Sequence, residues 1–426
     1  MIAGPRSKAV GAALLVMSVG LFNFGGSVKA DPPTSGDDST DWPAMISRLK
    51  QEIYRHPGLT QPRQQLAIAY NNYGVSLSEQ GQLDLAARQF QEALQIDAAS
   101  QQVRQNLANV YYRQAHEAYQ QRQIHSAAET LDQAIVLNPN FVQAYILLGK
   151  IEYDQQKLKE AKAAWQRAID LDPAQTEVAE QLKQVSDEIP VESKFERLSQ
   201  SSFDLRYEEQ VERPVGFDIR DALLEARRAV GSNFAYWPNY KIVVLIYSAE
   251  SFRRLRQETP EWLAGQFDGK IRVPLPSDQL NQAAVKGILF HEYTHAVIHD
   301  LTNGNCPTWL NEGLAEYEGR TQFAPPLRLL TKAYQAQQLI PWSELSAHIA
   351  PTLSAEDVGL AYEQSYSLAS YLVERYGFWK IRRLLKALAS GASWETELAG
   401  ETRMKLPKLE AAWQEQLAAF LQTPRS

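Results

Sequence analysis

The chain has 426 residues, 44% of them hydrophobic and 22% charged, with a formal net charge of −7 at pH 7. That is globular composition, long enough for two or three domains, and the acidic balance without any long basic run argues against a nucleic-acid partner. Cys306 is the only cysteine, which excludes an intrachain disulfide.

The first element is the stretch MIAGPRSKAVGAALLVMSVGLFNFGGSVKA, with Arg6 and Lys8 ahead of an apolar run from Ala9 to Phe22 and short residues at Val28 and Ala30. This order of charge, apolar run and small residues predicts a secretory signal peptide over 1–30, with an uncleaved N-terminal membrane anchor as the alternative. The expected location is exported, periplasmic or secreted. Residues 31–43, DPPTSGDDSTDWP, are polar, acidic and Pro-rich, and read as a disordered tether. No further segment reads as transmembrane.

Residues 44–189 repeat themselves. FQEALQIDAAS, LDQAIVLNPN and WQRAIDLDPA are three versions of one segment. Ala134 and Ala168 stand 34 residues apart, as do Pro139 and Pro173. Small residues at fixed places let two antiparallel helices approach, large ones fill the gaps, and Pro ends the second helix. Tyr145, Leu148, Gly149, Ala161, Trp165, Ala168 and Pro173 fall where a tetratricopeptide repeat places its signature residues, so this half resembles such an array. Seven extra residues separate the first and second copies, which predicts a lengthened helix or a shifted stacking angle. DWPAMISRLKQEIYRHP before the copies and TEVAEQLKQVSDEI after them read as capping helices. The resemblance implies a platform for a protein or peptide partner; a spacer is the alternative.

The texture changes after Pro190, and residues 190–426 form the expected second domain. KFERLSQSSFDLRYEE reads as strand, DIRDALLEARRAVG as amphipathic helix, and KIVVLIYS as a buried strand with a helix opening at Ser248. KIRVPLP is a further strand, and Pro274 and Pro276 suit it to a sheet edge. Residues 278–302 then predict a long helix, and nearly everything beyond is helical. A small sheet with a helix-rich remainder is an α+β pattern.

Inside that long helix lies ILFHEYTHAVIH, residues 288–299. Residues i and i+4 share a helix face about 6 Å apart, so His291 and His295 can turn two imidazoles to one ion. Glu292 between them is placed to act on a water as general base without binding the ion. Such polar side chains are costly to bury without partners, and a metal supplies one. CPTWLNEGLAEYEG, residues 306–319, follows a TNGNCP turn that lets a second helix pack back antiparallel. Glu312 would then complete a three-ligand site with an open fourth position.

H-E-x-x-H followed by W-L-N-E-G-x-A resembles the glutamate-zincins, the clan of thermolysin and the aminopeptidase-N relatives. The compact peptidase MA-like group, in which a minimal zincin domain is joined to tetratricopeptide repeats, is closest in texture. The resemblance implies zinc (Zn2+) held by His291, His295 and Glu312, with Glu292 as general base. It also implies a tyrosine that donates to the oxyanion. YEQSYSLASYLVERYG places that tyrosine at Tyr362, with Tyr366 one turn on in reserve. Glu316 is placed to hydrogen-bond a ligand histidine, with an exposed carboxylate as the alternative; Cys306 reads as a lone buried thiol. The G-x-M-E-N segment of the aminopeptidases is absent, which leaves exopeptidase action without support.

The expected protein is therefore a tetratricopeptide array followed by an α+β zincin-like metallopeptidase domain. Its expected activity is zinc-dependent endopeptidase hydrolysis of peptide bonds, no segment that holds a free amine being present, on substrates recruited by the repeats. A non-catalytic adaptor with a relic zincin fold, and a hydrolase of non-peptide amides, are the alternatives.

Overall fold

A computed structural model describes residues 41–209, 213–255, 266–275, 281–350 and 353–422. The expected signal peptide and most of the expected tether lie outside the described residues. Among the described residues, no helix is long and apolar enough to cross a membrane. The chain divides into two compact units between Ile189 and Pro190.

The first unit is a run of helices: α1 (Trp42–Arg55), α2 (Gln61–Glu79), α3 (Leu83–Ile96), α4 (Gln101–Gln120), α5 (Ile124–Leu137), α6 (Val142–Asp154), α7 (Leu158–Leu171) and α8 (Thr176–Glu192). Asp41 caps α1 by accepting a 3.0 Å hydrogen bond from Ala44 N, so the tether gives way to helix slightly before residue 43. Helices α2/α3, α4/α5 and α6/α7 are the three repeats. The extra residues between the first two copies lengthen α4, which has 20 residues where α6 has 13. Polar contacts at a constant offset of 35 residues join the first repeat to the second and the third repeat to α8. Asn106 Nδ2 donates to Asn71 Oδ1 at 2.9 Å, Arg113 Nη1 to Ser78 O at 2.8 Å, and Tyr153 OH to Glu188 Oε1 at 2.9 Å. Helix α8 runs past Pro190 to Glu192, three residues beyond the expected end of the array at 189.

The second unit builds a five-stranded sheet from β1 (Glu196–Ser199), β2 (Phe203–Tyr207), β3 (Ile242–Ser248), β4 (Gln266–Phe267) and β5 (Ile271–Leu275), in the order β1-β2-β3-β5-β4. Pairs β2/β3 and β3/β5 are parallel; β1/β2 and β4/β5 are antiparallel. Helices α9 (Arg213–Phe234) and α10 (Ala249–Leu255) connect the strands. Ser248 Oγ accepts from Ser251 N at 3.2 Å and so opens α10 where expected. Strand β3 is buried along almost its whole length, as its β-branched run predicts.

One expectation fails here. Strand β5 is not the sheet edge: β4 pairs outside it, Phe267 opposite Ile271 and Gln266 opposite Arg272. Among the described residues β4 covers only Ile271 and Arg272, and Pro274 pairs in register with Tyr247 of β3.

The remaining elements are α11 (Gln282–Thr302), α12 (Thr308–Gly319), α13 (Arg328–Ala336), a 3₁₀ turn at Trp342–His348, α14 (Ala355–Tyr376), α15 (Phe378–Leu388), α16 (Trp394–Thr402) and α17 (Leu406–Gln422). Helix α11 starts at Gln282 rather than 278, because Asn281 caps it by accepting from Ala284 N at 3.2 Å. Its Leu289, Tyr293 and Val297 join Val244 and Ile246 of β3 and Val273 of β5 in one core.

Candidate metal centre

Helices α11 and α12 form a hairpin. Asn303 and Gly304 take left-handed conformations with φ of 51° and 78°, which ends α11 and reverses the chain. Pro307 then leads into α12. The two helices approach closely at Gly319, where a Cβ would stand 2.9 Å from the Gly287 carbonyl oxygen and 3.2 Å from His291 Cβ. Helix α14 closes from another side at Gly313, where a Cβ would meet the Ser365 carbonyl oxygen at 2.4 Å. Trp309 fixes the start of α12 against Trp342 and Trp394, with ring centroids 5.2 and 5.4 Å away.

This packing brings His291, His295 and Glu312 together, all three buried. The two Nε2 atoms are 2.9 Å apart, and each lies 3.4 Å from Glu312 Oε2. A tetrahedral ion with bonds of ~2.05 Å keeps its donors ~3.3 Å apart, so the triangle has the size of one face of such a site. The outer nitrogens are occupied. His291 Nδ1 is 3.3 Å from Glu316 Oε1, and His295 Nδ1 is 3.1 Å from Asn311 Oδ1. With both Nδ1 atoms donating to oxygen, both Nε2 atoms turn lone pairs inward toward a carboxylate oxygen.

The electrostatics ask for positive charge at that point. Burial pulls His291 down, but the hydrogen bonding and charge of Glu312 and Glu316 outweigh it and raise the imidazole to about 10. Burial raises Glu312, yet His295 and His291 outweigh that and hold its carboxyl below the usual range. Burial also raises Glu316, and Arg320 with His291 overcomes it, bringing Glu316 down to about 2. A proton supplies one positive charge between the rings; a divalent cation satisfies all three donors at once. The residues present therefore fit a metal ion.

Two more polar groups surround the cluster. Both carboxylate oxygens of Glu292 and the hydroxyl of Tyr362 are buried without a hydrogen-bond partner. Burial lifts Glu292 well above the carboxylate range; His291 opposes this, while Glu312 and Asp268 add to it. Tyr362 is lifted well above the phenol range by burial and then by Glu312, Glu316 and Glu292, which places its hydroxyl among those carboxylates. Tyr366 faces elsewhere: its ring lies under the Arg320 guanidinium at 4.6 Å and beside Phe420 at 5.8 Å. Glu316, expected either beside a ligand histidine or exposed, is buried and bound to His291. The Cys306 thiol is raised by burial and by Glu312 nearby, but lies outside the three-residue cluster. The sequence reading passed over Asn311, although it stands within W-L-N-E-G, directly before Glu312.

Residues 269–419 match the model of the Peptidase MA superfamily, and residues 67–100 and 112–176 match two tetratricopeptide repeat models. The chain thus carries a Peptidase MA superfamily domain preceded by tetratricopeptide repeats. Among solved structures, the first TPR of Spaghetti (RPAP3) bound to HSP90 peptide SRMEEVD is 25% identical, covering 30% of this chain and 94% of that one, with a TM-score of 0.23. The first TPR domain of the human RPAP3 protein is 24% identical, covering 30% and 94%, with a TM-score of 0.22. MamA is 17% identical, covering 35% and 80%, also with a TM-score of 0.22. No curated protein matches the chain.

Proposed function

We propose that this protein is a zinc-dependent peptidase that cleaves internal peptide bonds of substrates recruited by its repeat array, in the cell envelope to which the N-terminal segment directs it. The observation that carries the reading is the inward convergence of His291 Nε2, His295 Nε2 and Glu312 Oε2 within 3.4 Å. The orphaned Glu292 and Tyr362 beside them supply what hydrolysis needs next.

His291, His295 and Glu312 would hold the ion, and Zn2+ fits a set of two imidazoles and one carboxylate. When bound, zinc polarises a carbonyl, activates water and supplies the positive charge that favours the ionised form of Glu292. Glu292 takes a proton from the attacking water at its carboxylate and delivers it to the leaving amine. Tyr362 donates its hydroxyl proton to the developing oxyanion, a hydrogen bond worth about 3 kcal/mol in comparable sites. Glu316 and Asn311 hold the two imidazoles in the tautomer that keeps Nε2 free.

Elemental analysis of the purified protein, with a peptide-library digest run with and without chelator, tests the reading. One zinc per chain and chelator-sensitive internal cleavage are expected. A metal-free preparation that does not take up zinc, or cleavage indifferent to chelator, overturns it.

A further inference from the structure

Along α12, Glu312, Glu316 and Arg320 follow one another at four-residue steps, so their side chains form one column on the helix. The lower half of that column is fully engaged. Glu316 turns Oε1 to His291 Nδ1 at 3.3 Å and Oε2 to Arg320 Nε at 2.7 Å. Arg320 is only 10% exposed at its side chain. Its Nη1 donates to the Pro325 carbonyl at 2.7 Å, and its guanidinium lies 4.6 Å from the centre of the Tyr366 ring. Tyr366 is one turn along α14 from Tyr362.

We infer that Arg320 is a positioning residue for the metal centre: it fixes the Glu316 carboxylate so that one oxygen faces His291, and ties that arrangement to the helix carrying Tyr362. A carboxylate on a two-bond side chain has several rotamers that would leave the imidazole unheld. Two directed contacts, one from His291 and one from Arg320, select a single one. The guanidinium is itself held at two further points, the Pro325 carbonyl and the Tyr366 ring, so it cannot follow Glu316 if the carboxylate swings away. A planar fork can serve these three contacts together; an ammonium can serve one. The inference rests on the metallopeptidase reading, since it assigns Arg320 a role through the histidine proposed to bind metal.

The test measures zinc affinity of the full chain by competition with a chromophoric chelator, and the visible absorption of the cobalt-substituted protein. Melting of the metal-free protein is followed in parallel. R320A should bind zinc roughly 10- to 100-fold more weakly, with an altered cobalt spectrum. R320K should fall between R320A and the wild type, because it keeps only the contact with Glu316. E316Q should weaken zinc similarly, and adding R320A to it should cost little more, since both act through the same imidazole. Wild-type zinc affinity in R320A, or a double variant showing the two losses multiplied, overturns the inference while leaving the metallopeptidase reading intact. Should R320A not fold, R320K decides: an affinity equal to wild type counts against a positioning role. A wild-type protein without zinc affinity sinks the parent reading, and this inference with it.

Discussion

The Nε2 atoms of His291 and His295 face each other at 2.9 Å, a gap that a proton on one nitrogen or a metal ion bound by both can bridge, and Glu312 Oε2 lies 3.4 Å from each. Removing either ring or the carboxylate opposite them should therefore abolish metal uptake. His291→Ala, His295→Ala and Glu312→Ala are expected to bind zinc at least ~100-fold more weakly than the wild type. Thermal melting reports the same loss. Zinc at 1,000 times the wild-type Kd should stabilise the wild type by about 4 kcal/mol and the variants by about 1.4 kcal/mol or less.

Glu292→Gln keeps the shape of the side chain and removes its basicity. Metal content should be unchanged, because Glu292 is outside the three-residue cluster. Turnover of a peptide substrate should fall by ~100- to 10,000-fold. Cleavage at the wild-type rate in a zinc-loaded E292Q protein would refute the assignment of the base.

Tyr362 and Tyr366, one turn apart on α14, separate by function. Tyr362→Phe should leave zinc bound and lower kcat by ~100- to 1,000-fold, the range for loss of one oxyanion donor. Tyr366→Phe retains the ring that stacks under Arg320 and should leave kcat within about twofold of wild type. The reverse pattern would exchange their roles.

Glu318, outside the three-residue cluster, gives the fold a pH-dependent stability. Burial raises its carboxyl to about 7, against the opposing hydrogen bond from Asn233 Nδ2 at 2.8 Å. Because the folded value lies above the unfolded one, near 4.5, the folded state binds the proton more tightly. The stabilisation is complete below about pH 4.5, is lost progressively as pH rises to about 7, and does not change further above that. The total is about 3 kcal/mol at ~1.4 kcal/mol per unit. Glu318→Gln keeps an acceptor for Asn233 and should remove this slope from chemical-denaturation curves between pH 4.5 and 7.

Gly313 tests the packing of α12 on α14. An alanine there would drive its Cβ to 2.4 Å from the Ser365 carbonyl oxygen. Gly313→Ala should destabilise the protein by about 1–3 kcal/mol, and parting these helices should also lower kcat, since one carries Glu312 and the other Tyr362. Unchanged melting and activity would show that α14 yields at no cost.

Much of the site was legible because its parts are local. The step from His291 to His295 is a helix turn, and TNGNCP announces the reversal that returns Glu312 to them. Legibility failed where a role depends on what a residue meets in three dimensions. Nothing in W-L-N-E-G says that Asn311 reaches the outer nitrogen of His295. Arg320 looks like any charged residue at a helix end until Pro325 and Tyr366 enclose it. Pro274 misled in an instructive way. Proline suits a strand edge, but a local signal of that kind cannot rank a strand within the sheet, and the pairing of Gln266 and Phe267 moves β5 inward. The repeats were read easily for the opposite reason, since their contacts recur at a fixed spacing. The long α4 shows where the extra residues went.

The reversal at Asn303 and Gly304 has a kinetic meaning. All three donor atoms belong to one helical hairpin, residues 291–312, so the loop that must close before they meet is shorter than those joining the parallel pairs β2/β3 and β3/β5. Closure entropy grows only with the logarithm of loop length, yet nucleation on local contacts is what sets folding speed. The hairpin can therefore assemble its donors before the parallel pairing of β2, β3 and β5 is complete, and an ion captured at that stage would act as a template for the chain still folding around it.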